Sequence, residues 1–288
     1  MKRSKRQILI TAFLIAVGSG LMAYPFVSNY LYEHRQQQVI YSHQEMVDKT
    51  EDSRLKEELE SARTYNRWLS SQEVVLTDPF DPENLKSDDQ DYEQLLDLSG
   101  DGIMGYVEIP KIDVFLPVYH GTSQQVLEQG VGHLENTSLP VGGESTHCVL
   151  SAHTGLSDKK LFTDLVLLEK GDTFYIHTLD QILAYEADQI LTVKPEDTSQ
   201  LKIVPEKDYV TLVTCTPYGV NSHRLLVRGH RIPYRPEEGK RALKKTKSSP
   251  WMRQYLFSIL VGILVLILIM AGVCWHIRRS GPKRRNKS

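Results

Sequence analysis

The sequence predicts a mainly-β protein: a closed or nearly closed β-barrel, preceded by a helical extension and flanked by two transmembrane helices. Short strand-like segments separated by Gly, Pro and Asn follow one another from residue 103 onward, a spacing typical of barrels. The polar residues 28–73 carry Leu and Ala at a loose 3–4 spacing, which predicts one or two helices packed on the domain. An uncharged stretch of 20 residues lies near each end, and each is long enough to cross a bilayer.

The two uncharged stretches are residues 8–27 and 256–275, with basic tails outside them at 1–7 and 276–288. Two spans place both termini on one side of the membrane, and the basic tails favour the cytoplasmic side. A basic linker at 239–255 precedes the second span, so this orientation rests mainly on the first span. The first stretch is also open to interpretation as a cleaved signal peptide, but no A-x-A-type cleavage site follows it.

Charge and cysteine content exclude two classes of protein. The net charge is -2, yet residues 8–277 hold 24 basic and 36 acidic side chains, a net charge of -12. An acidic body of this kind argues against nucleic-acid binding. Three cysteines argue against a disulfide framework, and Cys148 and Cys274 lie in apolar runs where we expect buried hydrophobic residues.

The extension ends in two segments of different character. Residues 74–82 contain Pro79 and Pro82, which disfavour a helix and favour an extended or turning segment. Residues 83–101 are acidic and have the composition of a linker. In the domain that follows, strands are predicted near residues 103–109, 112–118, 147–152, 173–178, 182–193, 209–215 and 224–232, and short helices near residues 123–128 and 158–168.

A candidate reactive site lies between the last two predicted strands. Residues 211–215 and 224–228 alternate with period 2, and the loop between them contains Pro, Gly and Asn. If these strands pair, Cys215 and Arg224 face each other across the mouth of the loop. Because a nearby cation lowers the pKa of a thiol, this pair indicates a reactive cysteine.

A nucleophilic cysteine needs an acid or base partner, and His153 is the candidate. It directly follows an apolar predicted strand and begins a loop, a position where functional side chains are common. The other nine histidines compete with it for this role, notably His133, His147, His223 and His230.

No metal or cofactor is expected. Residues 97–108 nearly fit an EF-hand loop, but Pro110 follows in a strand-like run where that motif needs a helix. The acidic residues 88–91 are better explained as a solvated linker than as a metal site.

The hairpin sequence from Thr211 to Gly229 resembles the signature of sortases, the cysteine transpeptidases of Gram-positive cell surfaces. The resemblance continues in Gly105-Tyr-Val-Glu-Ile-Pro-Lys-Ile-Asp-Val, in Gly130-Val-Gly-His-Leu-Glu and in Pro140-Val-Gly-Gly, and covers residues 100–232 densely. The second apolar span and the Asp78-Pro79-Phe80 segment resemble class C, the pilin-polymerising sortases.

The resemblance implies a closed eight-stranded barrel with short peripheral helices at residues 101–238, and a lid at residues 74–82 within an extension at 28–100. By the family's motifs, the catalytic residues are the nucleophile Cys215, the acid/base His153 and the electrostatic partner Arg224. The lid residues would be Asp78, Pro79 and Phe80, with Asp78 paired bidentately to Arg224 and Phe80 over the sulfur of Cys215.

The implied reaction cleaves an LPxTG-type sorting signal between Thr and Gly through a Cys215 thioester and transfers the acyl group to a pilin lysine. Its partners would be pilins and other LPxTG-type surface proteins, and the catalytic domain would lie outside the cell membrane of a Gram-positive bacterium. The alternatives are a housekeeping sortase that anchors proteins to a cell-wall precursor, hydrolysis of the thioester, and a non-enzymatic membrane scaffold.

The sequence departs from the family pattern at four positions without losing a reacting group. Ala152 and Thr154 stand where Gly and Arg are expected, Ser222 where Thr is usual, and Asn136 where Gly is expected. We expect these differences to affect substrate preference more than activity.

Overall fold

The computed structural model describes residues 2–81, 90–156, 158–235, 257–265, 269, 271 and 272. The chain divides into two compact units, one formed by residues 1–27 with 248–288 and the other by residues 28–247. The second unit contains the barrel and all the candidate site residues.

Four helices and eight strands make up the described structure up to residue 235, and residues 257–265 are also helical. The helices are α1 (Lys2–Lys49), α2 (Asp52–Ser70), α3 (Gln90–Gln94) and α4 (Gln124–Gln129). The strands are β1 (Ile103–Ile109), β2 (Val114–His120), β3 (Val131–His133), β4 (Thr146–Ser151), β5 (Thr173–Thr178), β6 (Gln181–Val193), β7 (Asp208–Thr216) and β8 (His223–Ile232). Short 3-10 turns cover Pro110–Ile112, Thr163–Leu167 and Ser199–Leu201.

The eight strands close into a barrel in the order β1-β2-β3-β4-β7-β8-β6-β5. The pairs β2–β3 and β4–β7 are parallel and the other pairs are antiparallel. The predicted closed mainly-β barrel is therefore confirmed, and so are the seven strands predicted from alternation. Strand β3 was not predicted, because its three residues are too short to show a period.

The central strands of the barrel are buried on both faces. Leu150, Leu212 and Val227 belong to the main core, whereas Val149 and Val213 belong to a second apolar cluster. Since successive residues of a strand point to opposite faces, this second cluster lies on the other side of β4 and β7. Leu76, Leu134, Leu201 and Leu226 complete it, with Val74 and Phe80 packed against it. The proline-containing segment after α2 therefore covers this face.

The predicted helical extension is confirmed. Helix α2 buries Leu55, Leu59, Ala62 and Leu69 at the 3–4 spacing of an amphipathic helix. Its buried Asn66 accepts a hydrogen bond from the backbone N–H of Leu139 (2.7 Å) and donates one to the carbonyl of the same residue (3.1 Å). The side chain of Asn66 thereby pairs both backbone polar groups of Leu139, in the loop before β4.

The acidic stretch predicted as a linker is only partly described, since residues 82–89 lie outside the described residues. From α3 onward it is packed into the domain, with Tyr92 and Leu96 fully buried in the main core. The EF-hand-like run continues directly into β1, where Glu108 contacts His177 across the sheet (3.0 Å). Its strand conformation agrees with our reason for rejecting a calcium loop.

One helix in the described part of the chain is long and apolar enough to cross a membrane: the Leu9–Lys49 portion of α1, with a window of mean hydropathy 1.8. Much of the second predicted span, residues 256–275, lies outside the described residues. Two transmembrane helices therefore remain a prediction.

Candidate active site

The hairpin of β7 and β8 holds the predicted thiol and guanidinium opposite each other. Its register pairs Cys215 with Arg224 and Thr216 with His223, so the connecting loop is residues 217–222. Both Cys215 and Arg224 are buried, at 7% and 9% exposure. The alternation of apolar residues predicted this pairing correctly.

His153 leaves the barrel at the same edge as Cys215. Strand β4 pairs in parallel with β7, with Ser151 opposite Val213, so both strands end at this edge. The backbone N–H of Ala152 donates to the Val213 carbonyl (3.1 Å), and the Thr214 hydroxyl donates to the Ala152 carbonyl (2.7 Å). These bonds extend the strand pairing to the residue directly before His153.

The competing histidines have other environments. Burial lowers the pKa of His133 and of His147 to about 4, and hydrogen-bond partners lie at both ring nitrogens of each. The ring of His223 contacts the Ser222 hydroxyl (2.9 Å) at the exposed end of the loop. His230 pairs with Tyr209 at the other end of the hairpin. His223 lies at the same edge, but as the neighbour of Arg224 on β8 its side chain points to the opposite face. His153 is the histidine whose ring contacts Phe80, which also contacts Arg224.

Arg224 is bound bidentately by Asp78, as predicted. Its Nε donates to Asp78 Oδ1 (2.8 Å) and its Nη2 to Asp78 Oδ2 (2.5 Å). Its Nη1 donates to the carbonyls of Asn221 (3.0 Å) and His223 (3.1 Å). Two parallel N–H···O bonds of this kind fix orientation as well as charge. The carboxylate of Asp78 thus takes the Nε and Nη2 edge of the guanidinium.

Phe80 contacts both His153 and Arg224. Its ring centroid is 5.6 Å from that of His153 and 5.1 Å from Cζ of Arg224. Pro79, between Asp78 and Phe80 in the chain, is buried. Earlier in the segment, the carbonyl of Leu76 accepts a hydrogen bond from the Thr198 hydroxyl (3.3 Å). The segment is thereby held at Leu76 and at Phe80. The predicted contact of Phe80 with the Cys215 sulfur stays a prediction.

The environment of the site favours a neutral cysteine and a neutral histidine. Burial raises the pKa of Cys215 to about 11; the charge of Arg224 acts to lower it and that of Asp78 to raise it. Burial also lowers the pKa of His153, with Glu128 acting to raise it and Lys159 to lower it. With Asp78 in place, the resting pair at neutral pH is a thiol and an uncharged imidazole.

Several residues at the site were not found from the sequence. Asn221, which has a positive φ of 59°, accepts a hydrogen bond from Arg224 through its carbonyl. The Thr214 hydroxyl donates to the carbonyl of Ala152, the residue before His153. The charge of Glu128 acts on His153 from the end of α4, and that of Lys159 from further along the same loop. Only Asn221 carried a signal, as a turn former. Among the described residues, no cluster of three His, Cys, Asp or Glu side chains is placed to bind a metal ion.

The barrel region of the sequence matches known proteins. A family model described as "Sortase domain" matches residues 107–232. Sortase D of Bacillus subtilis is 34% identical over 131 residues, which cover 44% of this chain and 63% of that protein. Sortase A of Streptococcus agalactiae is 31% identical over 117 residues, which cover 40% of this chain and 47% of that protein. The matched region thus spans roughly half the length of these relatives.

Solved structures match over a longer region. A sortase C of Streptococcus pneumoniae is 46% identical, with a TM-score of 0.64, covering 68% of this chain and 97% of that structure. Sortase C-1 of Actinomyces oris is 49% identical, with a TM-score of 0.60, covering 63% and 99%. Sortase C1 of Streptococcus agalactiae is 43% identical, with a TM-score of 0.61, covering 67% and 94%. The chain therefore belongs to the sortase family of cysteine transpeptidases, and its solved neighbours are class C sortases.

Proposed function

We propose that this chain is a membrane-anchored class C sortase that joins LPxTG-type proteins to a pilin lysine. The observation that carries the proposal is the placement of Cys215, Arg224 and His153 at one edge of a sortase barrel. The solved relatives support the pilin role, since one is described in terms of pilin substrate specificity and another as a pilus-related sortase C.

The first half of the reaction forms a thioester. As the Cys215 sulfur attacks the carbonyl carbon between Thr and Gly of the sorting signal, His153 accepts the thiol proton. Arg224 donates hydrogen bonds to the oxygen on which negative charge develops. When the tetrahedral intermediate collapses, the C–N bond breaks and His153 returns its proton to the departing glycine amine.

The second half consumes the thioester. A pilin lysine amine attacks the same carbonyl carbon and loses a proton to His153, and the Cys215 sulfur leaves with the electrons of the C–S bond. The sulfur then regains the proton. The product is an isopeptide bond, and the enzyme returns to its starting protonation state.

The segment 74–82 acts as a lid in this proposal. While Asp78 holds Arg224 and Phe80 lies against His153, the guanidinium is withheld from the substrate. A thiol pKa of about 11 leaves on the order of one molecule in ten thousand as thiolate at pH 7. Opening of the lid is therefore a gating step that precedes chemistry.

The proposed location is the cell membrane of a Gram-positive bacterium. The apolar part of α1 supplies one anchor and residues 256–275 the second, with both basic tails in the cytoplasm. The catalytic domain would then face the outside, where its substrates are displayed.

The test incubates the full chain in detergent with an LPxTG-type peptide and a pilin. We expect a thioester at Cys215 by mass spectrometry and a lysine-linked product, both absent in Cys215→Ala. Arg224→Ala should slow thioester formation by about 10²–10³-fold and His153→Ala by about 10²–10⁴-fold. A Cys215-independent product would overturn the proposal.

The acceptor decides between the alternatives. Product on a cell-wall precursor amine but not on the pilin lysine would indicate a housekeeping anchoring sortase, and free acid alone would indicate hydrolysis. A scaffold role predicts that Cys215→Ala retains full pilus assembly in cells.

A further inference from the structure

We infer that helix α1 positions the catalytic histidine through three residues, the α1 contact residues. Asn29 bonds the loop that carries His153, and Tyr32 and Gln36 bond the end of α4 beside that loop. The inference rests on the proposed function, because a positioning role has meaning only if His153 takes part in the reaction. It concerns residues that touch neither the substrate nor Cys215.

The loop in question is residues 152–162, the His153 loop, between β4 and the 3-10 turn at Thr163–Leu167. Its first residue is bonded to β7, as described above. At its other end Leu161 and Phe162 are buried, and the backbone N–H of Phe162 donates to the carbonyl of His153 (3.1 Å). The position of the imidazole therefore depends on how both ends of the loop are held.

Asn29 binds the second end of the loop directly. The backbone N–H of Lys160 donates to Asn29 Oδ1 (2.8 Å). The amide of Asn29 is oriented by its own donation to Glu33 Oε1 (2.8 Å), and the residue is 8% exposed. Without this acceptor, the partly buried backbone N–H of Lys160 would lose its partner, which the loop would relieve by moving toward another acceptor.

Tyr32 and Gln36 hold the neighbouring segment. The Tyr32 hydroxyl (2.6 Å) and the Gln36 amide (2.9 Å) both donate to the carbonyl of Gln129. The Lys159 ammonium lies 5.6 Å from the Tyr32 ring centroid and donates to the carbonyl of Glu128 (2.7 Å). Three successive turns of α1 thus contact both the end of α4 and the His153 loop.

These contacts fix the charges that act on His153. Glu128 acts to raise its pKa and Lys159 to lower it. Lys159 lies over the Tyr32 ring, and Glu128 directly precedes Gln129, whose carbonyl accepts from Tyr32 and Gln36. Moving the loop away from α1 changes the distances from these two charges to the imidazole and from the imidazole to Cys215. We therefore expect a change in turnover and in its pH dependence, not in substrate binding.

The experiment compares Asn29→Leu with the double variant Asn29→Asp Glu33→Gln in the full chain in detergent. Leucine removes the acceptor for the Lys160 N–H at similar size. The double variant keeps that acceptor and reverses the hydrogen bond between positions 29 and 33. Gln37→Leu on the exposed face of α1 is the matched control. Each variant is also measured with Asp78→Ala, so that lid opening does not limit the rate.

We expect Asn29→Leu to lower kcat for thioester formation about tenfold with KM within about twofold, and to shift the pH-rate limb set by His153. The double variant and Gln37→Leu should keep wild-type kcat and the wild-type pH profile. If Asn29→Leu does not fold, Tyr32→Phe removes one bond to Gln129 and should show the same pH shift with a smaller loss of kcat.

Two results would overturn the inference. The first is a wild-type kcat and a wild-type pH profile in Asn29→Leu, or in Tyr32→Phe where that variant replaces it. The second is a double variant that has the melting temperature of wild type but is as slow as Asn29→Leu. Failure of the proposed function is distinguishable, because it would show as the absence of a Cys215-dependent product in the wild-type chain. An active wild type with an unaffected Asn29→Leu would overturn the positioning role alone.

Discussion

At the scale of single residues, the site is controlled by what binds Arg224. The guanidinium acts to lower the pKa of Cys215, whereas the Asp78 carboxylate on its other side acts to raise it. Because the carboxylate also takes two of the guanidinium's hydrogen bonds, one side chain both occupies the Nε and Nη2 donors of Arg224 and disfavours the thiolate. The charge of Asp78 should therefore control how much of Cys215 is present as thiolate.

Asp78→Asn keeps the shape of the side chain and removes its charge. We expect the pKa of Cys215 to fall from about 11, since the contribution of Asp78 that raises it is gone, and alkylation at pH 7 to be about tenfold faster. The measurement is the rate of iodoacetamide modification against pH, read at Cys215 by peptide mass spectrometry.

Asp188→Asn is the matched control for this prediction. Asp188 binds Arg228 bidentately, with both N–H···O distances 3.0 Å, in the same barrel. The Asp188→Asn variant should therefore have Cys215 modified at the wild-type rate. Equal rates for wild type and Asp78→Asn would contradict the gating role of the charge.

At the scale of elements, the sequence predicted what alternation or spacing can show. The pairing of Cys215 with Arg224 follows from period-2 strands, and the buried face of α2 follows from its 3–4 spacing. Strand β3 has too few residues for a period. The stretch around α3 was misjudged because its acidic composition outweighed Tyr92, which packs in the core. Contacts such as Asn29 with Lys160 join segments 131 residues apart, which no local pattern reveals.

Tyr92 connects α3 to the barrel through its hydroxyl. The group contacts Nδ1 of His133 (2.8 Å) and accepts from the backbone N–H of Gly121 (3.0 Å). Tyr92→Phe leaves these two buried polar groups without that partner, which we expect to lower the free energy of unfolding by about 2–4 kcal/mol. Chemical denaturation of the full chain in detergent measures the change.

Tyr41→Phe makes the same substitution at an exposed position on α1. Its effect should stay within about 0.5 kcal/mol. A Tyr92→Phe protein as stable as Tyr41→Phe would show that α3 is not held by this hydroxyl.

At the scale of the whole molecule, the helical extension from residue 28 onward and the barrel belong to one compact unit. Residues 28–247 form one compact unit, and the extension contributes Tyr32, Leu59 and Ala62 to the main core. The same extension supplies the Asp78 contact with Arg224 and the Asn29 contact with the His153 loop. We therefore expect global unfolding to remove the site and its control together.

Global stability should depend on pH through two buried histidines. The pKa of His133 and of His147 is about 4 in the folded chain because burial disfavours the charged ring, whereas an unfolded chain has the ordinary value near 6.5. Between these values the unfolded state binds more protons, so stability is lost as pH falls from 6.5 toward 4. Each histidine contributes at most about 3 kcal/mol over that window.

The measurement is the free energy of unfolding between pH 7.5 and 5, above the range where most carboxylates titrate. We expect it to fall with a slope approaching about 1.4 kcal/mol per pH unit for each histidine. His147→Gln lacks one of these two rings, which should reduce the slope by up to about 1.4 kcal/mol per pH unit even if the variant is less stable at pH 7.5. The lowered pKa of His43 and of His153 adds to the slope equally in both proteins. The comparison of slopes separates proton linkage from loss of packing. A variant slope equal to that of wild type would show that the buried ring at position 147 does not control acid stability.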